Sequence, residues 1–245
     1  MELPLRGEGM RNVHVDRHPE LEGVYWLTLE DGSRRLATLN LDPGRSVYGE
    51  RLVRVGKKEY RIWDAYRSKL AAAILKGAKP VPIHPGAKVL YLGSASGTTA
   101  SHVSDIVAED GAVYCVEFAS RAMRELISSL CVNRRNVYPI LEDARFPERY
   151  TRVVPGADSI YCDIAQPDQA RILADNADLY LKKGSGSMLA IKSRSIDVTL
   201  SPSDVFEREI EVLRSRGFTV QSVVRLEPFD QDHAMVTAVY KARRR

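Results

Sequence analysis

Five short apolar runs alternating with stretches of helical period constrain this chain more than any other feature. The runs occupy residues 88–92, 112–117, 137–142, 159–162 and 187–192, and each is the length of a strand buried on both faces. Between and after them, residues 98–106, 121–130, 166–181 and 203–216 carry helical patterns. Upstream, "AYRSKLAAAILKG" is rich in alanine and leucine and closes on Gly77, a helix stop. The end of the chain reads as two extended runs joined by a loop. Strand–helix alternation followed by a terminal strand pair predicts an α/β fold. Its sheet is doubly wound and mostly parallel, with an antiparallel strand near one edge.

Residues 1–55 have a different texture. "GVYWLTLEDGSRRLATLNL" alternates on both sides of Asp31-Gly32, a hairpin signal, and no long helical period appears. The chain therefore divides into a small β-rich part, 1–55, and a larger α/β part, 56–245. With 44% hydrophobic residues it can bury a real core. The N-terminal "MELPLRG" has no apolar signal segment, and no apolar run is long enough to span a bilayer. Cys115, Cys131 and Cys162 are odd in number and lack ligand spacing, and so read as reduced structural thiols. An intracellular, cytoplasmic protein with no membrane partner is expected.

In an open α/β sheet, ligands sit beyond the C-terminal strand ends, near the point where strand order reverses. "GSASGTT", residues 93–99, follows the first run there. Gly93 and Gly97 allow a tight turn and close approach, and Thr98 and Thr99 open a helix whose free N–H groups favour polar ligands. No lysine follows Gly97 as a P-loop requires, and the spacing is not that of a pyrophosphate-binding G-x-G-x-x-G loop. Glu117, Asp143 and Asp163 stand at the next three strand ends and converge on the same crevice. Glu117 could accept both hydroxyls of a ribose, and Asp143 could accept from an adenine amine. Such a set suits adenosine carrying a positive group, and S-adenosyl-L-methionine is such a molecule.

The consecutive segments "RIWDAYRSKLAAAIL", "YLGSASGTTASHVSD", "VYCVEF", "DAR", "DIAQPDQ", "AIKSRSIDVT" and "DHAMVTAVY" resemble, in order, the motifs of the fibrillarin family. The resemblance spans nearly the whole chain and is closest to the compact archaeal form, without a Gly/Arg-rich N-terminal region. It implies a class I methyltransferase domain behind a small antiparallel β domain. It further implies S-adenosyl-L-methionine-dependent methylation of ribose 2′-hydroxyls in rRNA and tRNA. The partners it implies are a box C/D guide RNA, a Nop-family scaffold protein and a kink-turn-binding ribosomal-type protein.

Carried over residue by residue, the resemblance implies a catalytic set of Lys69, Asp163, Lys192 and His233. Two lysines around Asp163 would keep it ionised. Lys192 would take the hydroxyl proton or stabilise the developing alkoxide, with Lys69 and His233 orienting the hydroxyl and Asp163. For the cofactor it implies Gly93 at the loop, Thr98 and Thr99 near the methionine part and Glu117 on the ribose. Phe118 and Ala144 would lie against the adenine with Asp143 on its amine, and Asp163, Ile164, Ala165 and Gln166 would line the pocket. No metal is called for. Two departures from the family pattern are Ser94, where alanine is common, and "FDQDHA", where an arginine usually precedes the histidine. Arg67, Lys69, Arg134, Arg135, Lys192, Arg194 and the basic tail are candidate phosphate contacts. Two other readings stay open: a stand-alone methyltransferase acting on tRNA, protein or a small molecule, and a non-catalytic ribonucleoprotein component.

Overall fold

In the computed structural model, residues 13–242 are described. The sequence-derived features of "MELPLRG" and of the arginines at 243–245 lie outside them. The first sheet is antiparallel, in the order β1-β2-β3-β5-β4, from His14–Arg17 (β1), Val24–Thr28 (β2), Arg34–Leu39 (β3), Leu52–Val55 (β4) and Lys58–Ile62 (β5). The expected hairpin joins β2 to β3, with Gly32 at φ +76° in its turn. A second hairpin turns at Gly56-Lys57, so an edge placed at residue 55 would cut between β4 and β5; the sheet ends at Ile62. One face encloses only a minor core of Leu27, Leu29, Ala37, Val53 and Tyr60. Val24 and Leu36 pack instead with residues of the larger α/β part.

The second sheet runs β11-β12-β10-β9-β6-β7-β8. Lys88–Leu92 (β6), Ala112–Val116 (β7), Val137–Ile140 (β8), Ala157–Cys162 (β9) and Leu181–Lys192 (β10) are parallel. Phe218–Arg225 (β11) is one edge and β8 the other, and His233–Tyr240 (β12) runs antiparallel to both its neighbours. Alternate residues face opposite layers, as a pleat demands. Val89 and Tyr91 pack with helices Lys69–Leu75 (α1), Thr98–Val107 (α2) and Ser120–Leu126 (α3), the last continued by a π turn at Ile127–Cys131. Leu90 and Leu92 pack on the other face with Gln169–Tyr180 (α4) and Pro202–Ser215 (α6). A single turn, Ser193–Ile196 (α5), follows β10. No described helix is long and apolar enough to cross a membrane.

The two sheets are joined by a buried polar network. The Arg61 guanidinium reaches Glu50 (2.6 Å), Asp105 (2.8 Å) and the Ser101 hydroxyl (2.7 Å) with no exposed side-chain surface. Burial alone would lower its pKa, but Asp105 and Glu50 outweigh that and raise it. Asp105 also pairs with Arg134 and accepts from the Thr38 hydroxyl and the Leu41 N–H. His102 stacks on Trp63, its Nδ1 2.8 Å from Thr38 and its Nε2 2.7 Å from the Tyr48 hydroxyl. Burial, Arg61 and Arg134 hold it well below the usual imidazole range, hence neutral. Arg134, a candidate phosphate contact by sequence, is thus a buried structural residue.

Candidate active site

The chain proceeds from β6 outward through β7 and β8, then returns to β9 on the other side of β6. The switch point lies between β6 and β9, where Gly93 follows one strand and Asp163 the other. The Asp163 N–H donates to the Leu92 carbonyl at 2.9 Å. A Cβ on Gly93 would stand 2.7 Å from the Asp163 carbonyl oxygen, and Gly93 has φ +80°. Only glycine lets the two strand ends meet this closely.

An open cavity of about 270 Å³ lies here. Gly93, Ala95, Glu117, Phe118, Asp143, Ala144, Asp163, Ile164, Ala165, Gln166 and Lys192 all border it. Ala95, Val116, Glu142 and Ile172 on its wall were not among the residues expected from the sequence. Phe118 is 63% exposed, so it is a free aromatic face on the cavity rather than a core residue. The buried Glu117 carboxylate accepts from the Ala95 N–H (3.0 Å) and the Ala119 N–H (2.8 Å), which holds the loop against the end of β7. Asp143 is bridged by the Arg145 guanidinium, whose hydrogen bonds keep its carboxyl below the usual range.

Thr98 and Thr99 do not line this cavity. The Thr99 hydroxyl donates to the Ser68 Oγ at 2.9 Å, and Ser68 caps α1 by accepting from the Ala71 N–H. Their neighbourhood therefore fixes the start of α1, where Lys69 is the first helical residue. The fold brings Lys69 to the other catalytic candidates. Its Nζ lies 3.4 Å from Asp163 and 3.5 Å from Asp230. Burial would lower its pKa, but Asp163 and Asp230 raise it, so Lys69 is an ammonium.

Lys192 closes the arrangement. Its Nζ lies 2.8 Å from the Asp163 carboxylate and donates to the Asp163 carbonyl at 2.9 Å. Its own N–H donates to the buried Gln169 side chain at 3.0 Å. His233 is the cross-strand partner of Lys192 and pairs with Asp230 (3.0 Å). Asp230 is the residue that sequence reasoning passed over. Its only signal is an acid three positions before a histidine, in the segment that departs from the family pattern. The cysteines stand apart from this chemistry: burial pushes Cys131 to about 11 and Cys162 to about 12, and Cys115 higher still.

Of the remaining phosphate candidates, Arg67 is exposed, and its guanidinium lies over the Tyr48 ring at 4.9 Å. Arg135 is exposed, and Arg194 pairs with Asp232 at 2.9 Å. Lys69 and Lys192 are instead tied to Asp163.

The fit to a nucleoside-type cofactor can be judged from these walls. A free aromatic face, the small Ala144 and the buried Ile164 offer a slot for a flat base. Acids at three strand ends suit hydroxyls and a cation. The residues present therefore fit S-adenosyl-L-methionine.

Over residues 15–242 the chain matches the family model described as Fibrillarin. It is 54% identical over 229 residues to a fibrillarin-like rRNA/tRNA 2′-O-methyltransferase of Aeropyrum pernix, covering 94% of this chain and 98% of the relative. It is similar to the crystal structure of Aeropyrum pernix fibrillarin in complex with natively bound S-adenosyl-L-methionine. That match has a TM-score of 0.87 and 55% identity, and covers 93% of this chain and 99% of the other. A fibrillarin/Nop5p complex structure matches with a TM-score of 0.80 and 38% identity, over 92% of this chain and 100% of that one.

Proposed function

The chain belongs to the fibrillarin family, and from that premise we propose that it transfers the methyl group of S-adenosyl-L-methionine to ribose 2′-hydroxyls of rRNA and tRNA. The observation that carries the reading is Asp163, placed on the cavity wall at the switch point and flanked by Lys69 and Lys192. A ribose hydroxyl is a weak nucleophile and needs positioning and help with its proton and its developing charge. The Lys69 and Lys192 side chains, fixed beside Asp163, supply the second.

Bound in the cavity, the cofactor would supply an electrophilic methyl group on sulfonium. Glu117 would hold its ribose, Phe118, Ala144 and Ile164 its adenine, and Asp143 the adenine amine. Gly93, Asp163, Ala165 and Gln166 would line the rest, with Thr99 acting from behind by fixing the start of α1 through Ser68.

In this reading a box C/D guide RNA selects the target, within a particle built on a Nop-family scaffold and a kink-turn-binding protein. The solved fibrillarin/Nop5p complex supports the scaffold. The charge supports the guide: a net +4 gives only weak, salt-sensitive RNA binding, and paired RNA hides its base edges from side chains.

Glu117 provides the first test. Glu117→Gln keeps the shape but removes the charge and one acceptor. Titration calorimetry should show cofactor binding weakened by about 1–3 kcal/mol. Equal affinity for wild type and variant would remove Glu117 from the site.

A further inference from the structure

We infer that Asp230 is a positioning residue: it holds His233 with its proton on Nδ1, so that the Nε2 lone pair takes the proton of the ribose hydroxyl. This rests on the function proposed above. The hydroxyl oxygen forms its bond to the methyl carbon as the carbon–sulfur bond breaks and leaves its electron pair on sulfur. The hydroxyl proton passes to Nε2, giving an imidazolium beside a carboxylate.

The tautomer follows from what surrounds the ring. His233 Nδ1 lies 2.5 Å from the Gln231 carbonyl oxygen and 3.0 Å from the Asp230 carboxylate. A carbonyl can only accept, and so can an ionised carboxylate. Burial would raise the Asp230 pKa, but His233 and Lys69 draw it below the usual range, so it is ionised. Both neighbours therefore require Nδ1 to be the donor, and neutral His233 is left with its lone pair on Nε2. Among the described residues, none hydrogen-bonds Nε2.

The other members of the group are already engaged as donors or paired. Lys192 Nζ faces the carboxylate and the carbonyl of Asp163, both acceptors. Lys69 is an ammonium set between Asp163 and Asp230. Both lysines reach the same oxygen, Oδ1, of the Asp163 carboxylate. A neutral imidazole is by its ordinary value a stronger base than a carboxylate, so His233 offers the more basic unengaged lone pair of the group, and it stands directly across the strand pair from Lys192. The loop before it is held firmly. The Asp230 N–H donates to the Leu226 carbonyl, and the Asp232 carbonyl accepts from both the N–H and the hydroxyl of Ser193, next to Lys192. Asp232 itself sits at φ +57°, in the left-handed region, at the turn into β12. An acid orienting a histidine that receives a hydroxyl proton is a known catalytic logic on other folds.

Two measurements test this. Long-range proton–nitrogen NMR on histidine-labelled protein without RNA, at about pH 8 where a free imidazole is neutral, reads the tautomer. His233→Gln assigns the signal. Wild type should show the Nδ1–H form, and Asp230→Ala should weaken that preference. In the assembled ribonucleoprotein, single-turnover methylation should fall about 100-fold in His233→Gln and at least about tenfold in Asp230→Ala and the isosteric Asp230→Asn. Cofactor affinity should stay within about twofold in all three, because none of these groups serves ground-state binding. An Nε2–H form in wild type overturns the inference, as do full rates in the Asp230 variants. Absence of ribose methylation by the wild type would overturn the proposed function instead, and the NMR result would still decide the tautomer.

Discussion

Lys192→Ala is expected to slow single-turnover methyl transfer by about 10²–10³-fold, the usual cost of removing one donor aimed at developing negative charge. Lys192 sits at the end of β10 with its Nζ held by both the carboxylate and the carbonyl of Asp163. Truncation leaves Asp163 with Lys69 alone, at 3.4 Å, and removes the cation that would face the reacting oxygen. Because the gain is realised as charge develops, turnover should suffer far more than cofactor binding. Calorimetry and single-turnover kinetics on the same preparation separate the two. A rate within about twofold of wild type would exclude this role. A loss wholly in cofactor affinity would make Lys192 a binding residue only.

Asp105→Ala should destabilise the fold by about 3–5 kcal/mol, the range for removing one partner of a buried ion pair. Asp105 lies on α2 and faces Arg61 and Arg134, each essentially buried. Without it both guanidiniums keep their charge and lose their main counterion, while the Thr38 hydroxyl and Leu41 N–H lose an acceptor. The exposed pair Arg214–Glu207, at 3.0 Å, is the internal contrast: Glu207→Ala should cost less than about 1 kcal/mol. Denaturant unfolding of both variants compares them directly. Equal, small effects would mean that solvent reaches the network and that the two sheets are joined by apolar packing alone.

These two sites differ in how far they could be read from the chain. The parallel strands were legible because strands buried on both faces need continuous apolar runs, and Val89–Leu92 packs both layers at once. Acids just beyond such runs fall at the strand ends by construction, which made Glu117, Asp143 and Asp163 visible. Arg134 was not legible: its partners Asp105 and Asn40 lie 29 and 94 positions away, and an arginine in "NRRN" looks solvated until they arrive. The same network hid the extent of the first sheet, since "KEYRI" reads as charged although Glu59 and Arg61 are buried in β5. Lys69 became a site candidate only through family resemblance, because its position depends on the Ser68 cap and the Thr99 contact. Resemblance placed Thr99 near the methionine part of the cofactor, and its hydroxyl donates to the Ser68 Oγ of that cap, a contact no local pattern foretells. Asp230 carries no local pattern that separates it from any loop acid, and only the convergence of Lys69 and His233 marks it.

The central claim is that this chain supplies the chemistry while a guide RNA supplies the address. Methyl transfer should be measured with the full chain, a Nop-family scaffold, a kink-turn-binding protein and two guides that differ only in their antisense segment, and the modified atom mapped on one target RNA. Methylation is expected on a ribose 2′-oxygen at a position that moves with the guide, with poor transfer by the isolated chain. Methylation at a fixed position with both guides, or on any atom other than the 2′-oxygen, would contradict it.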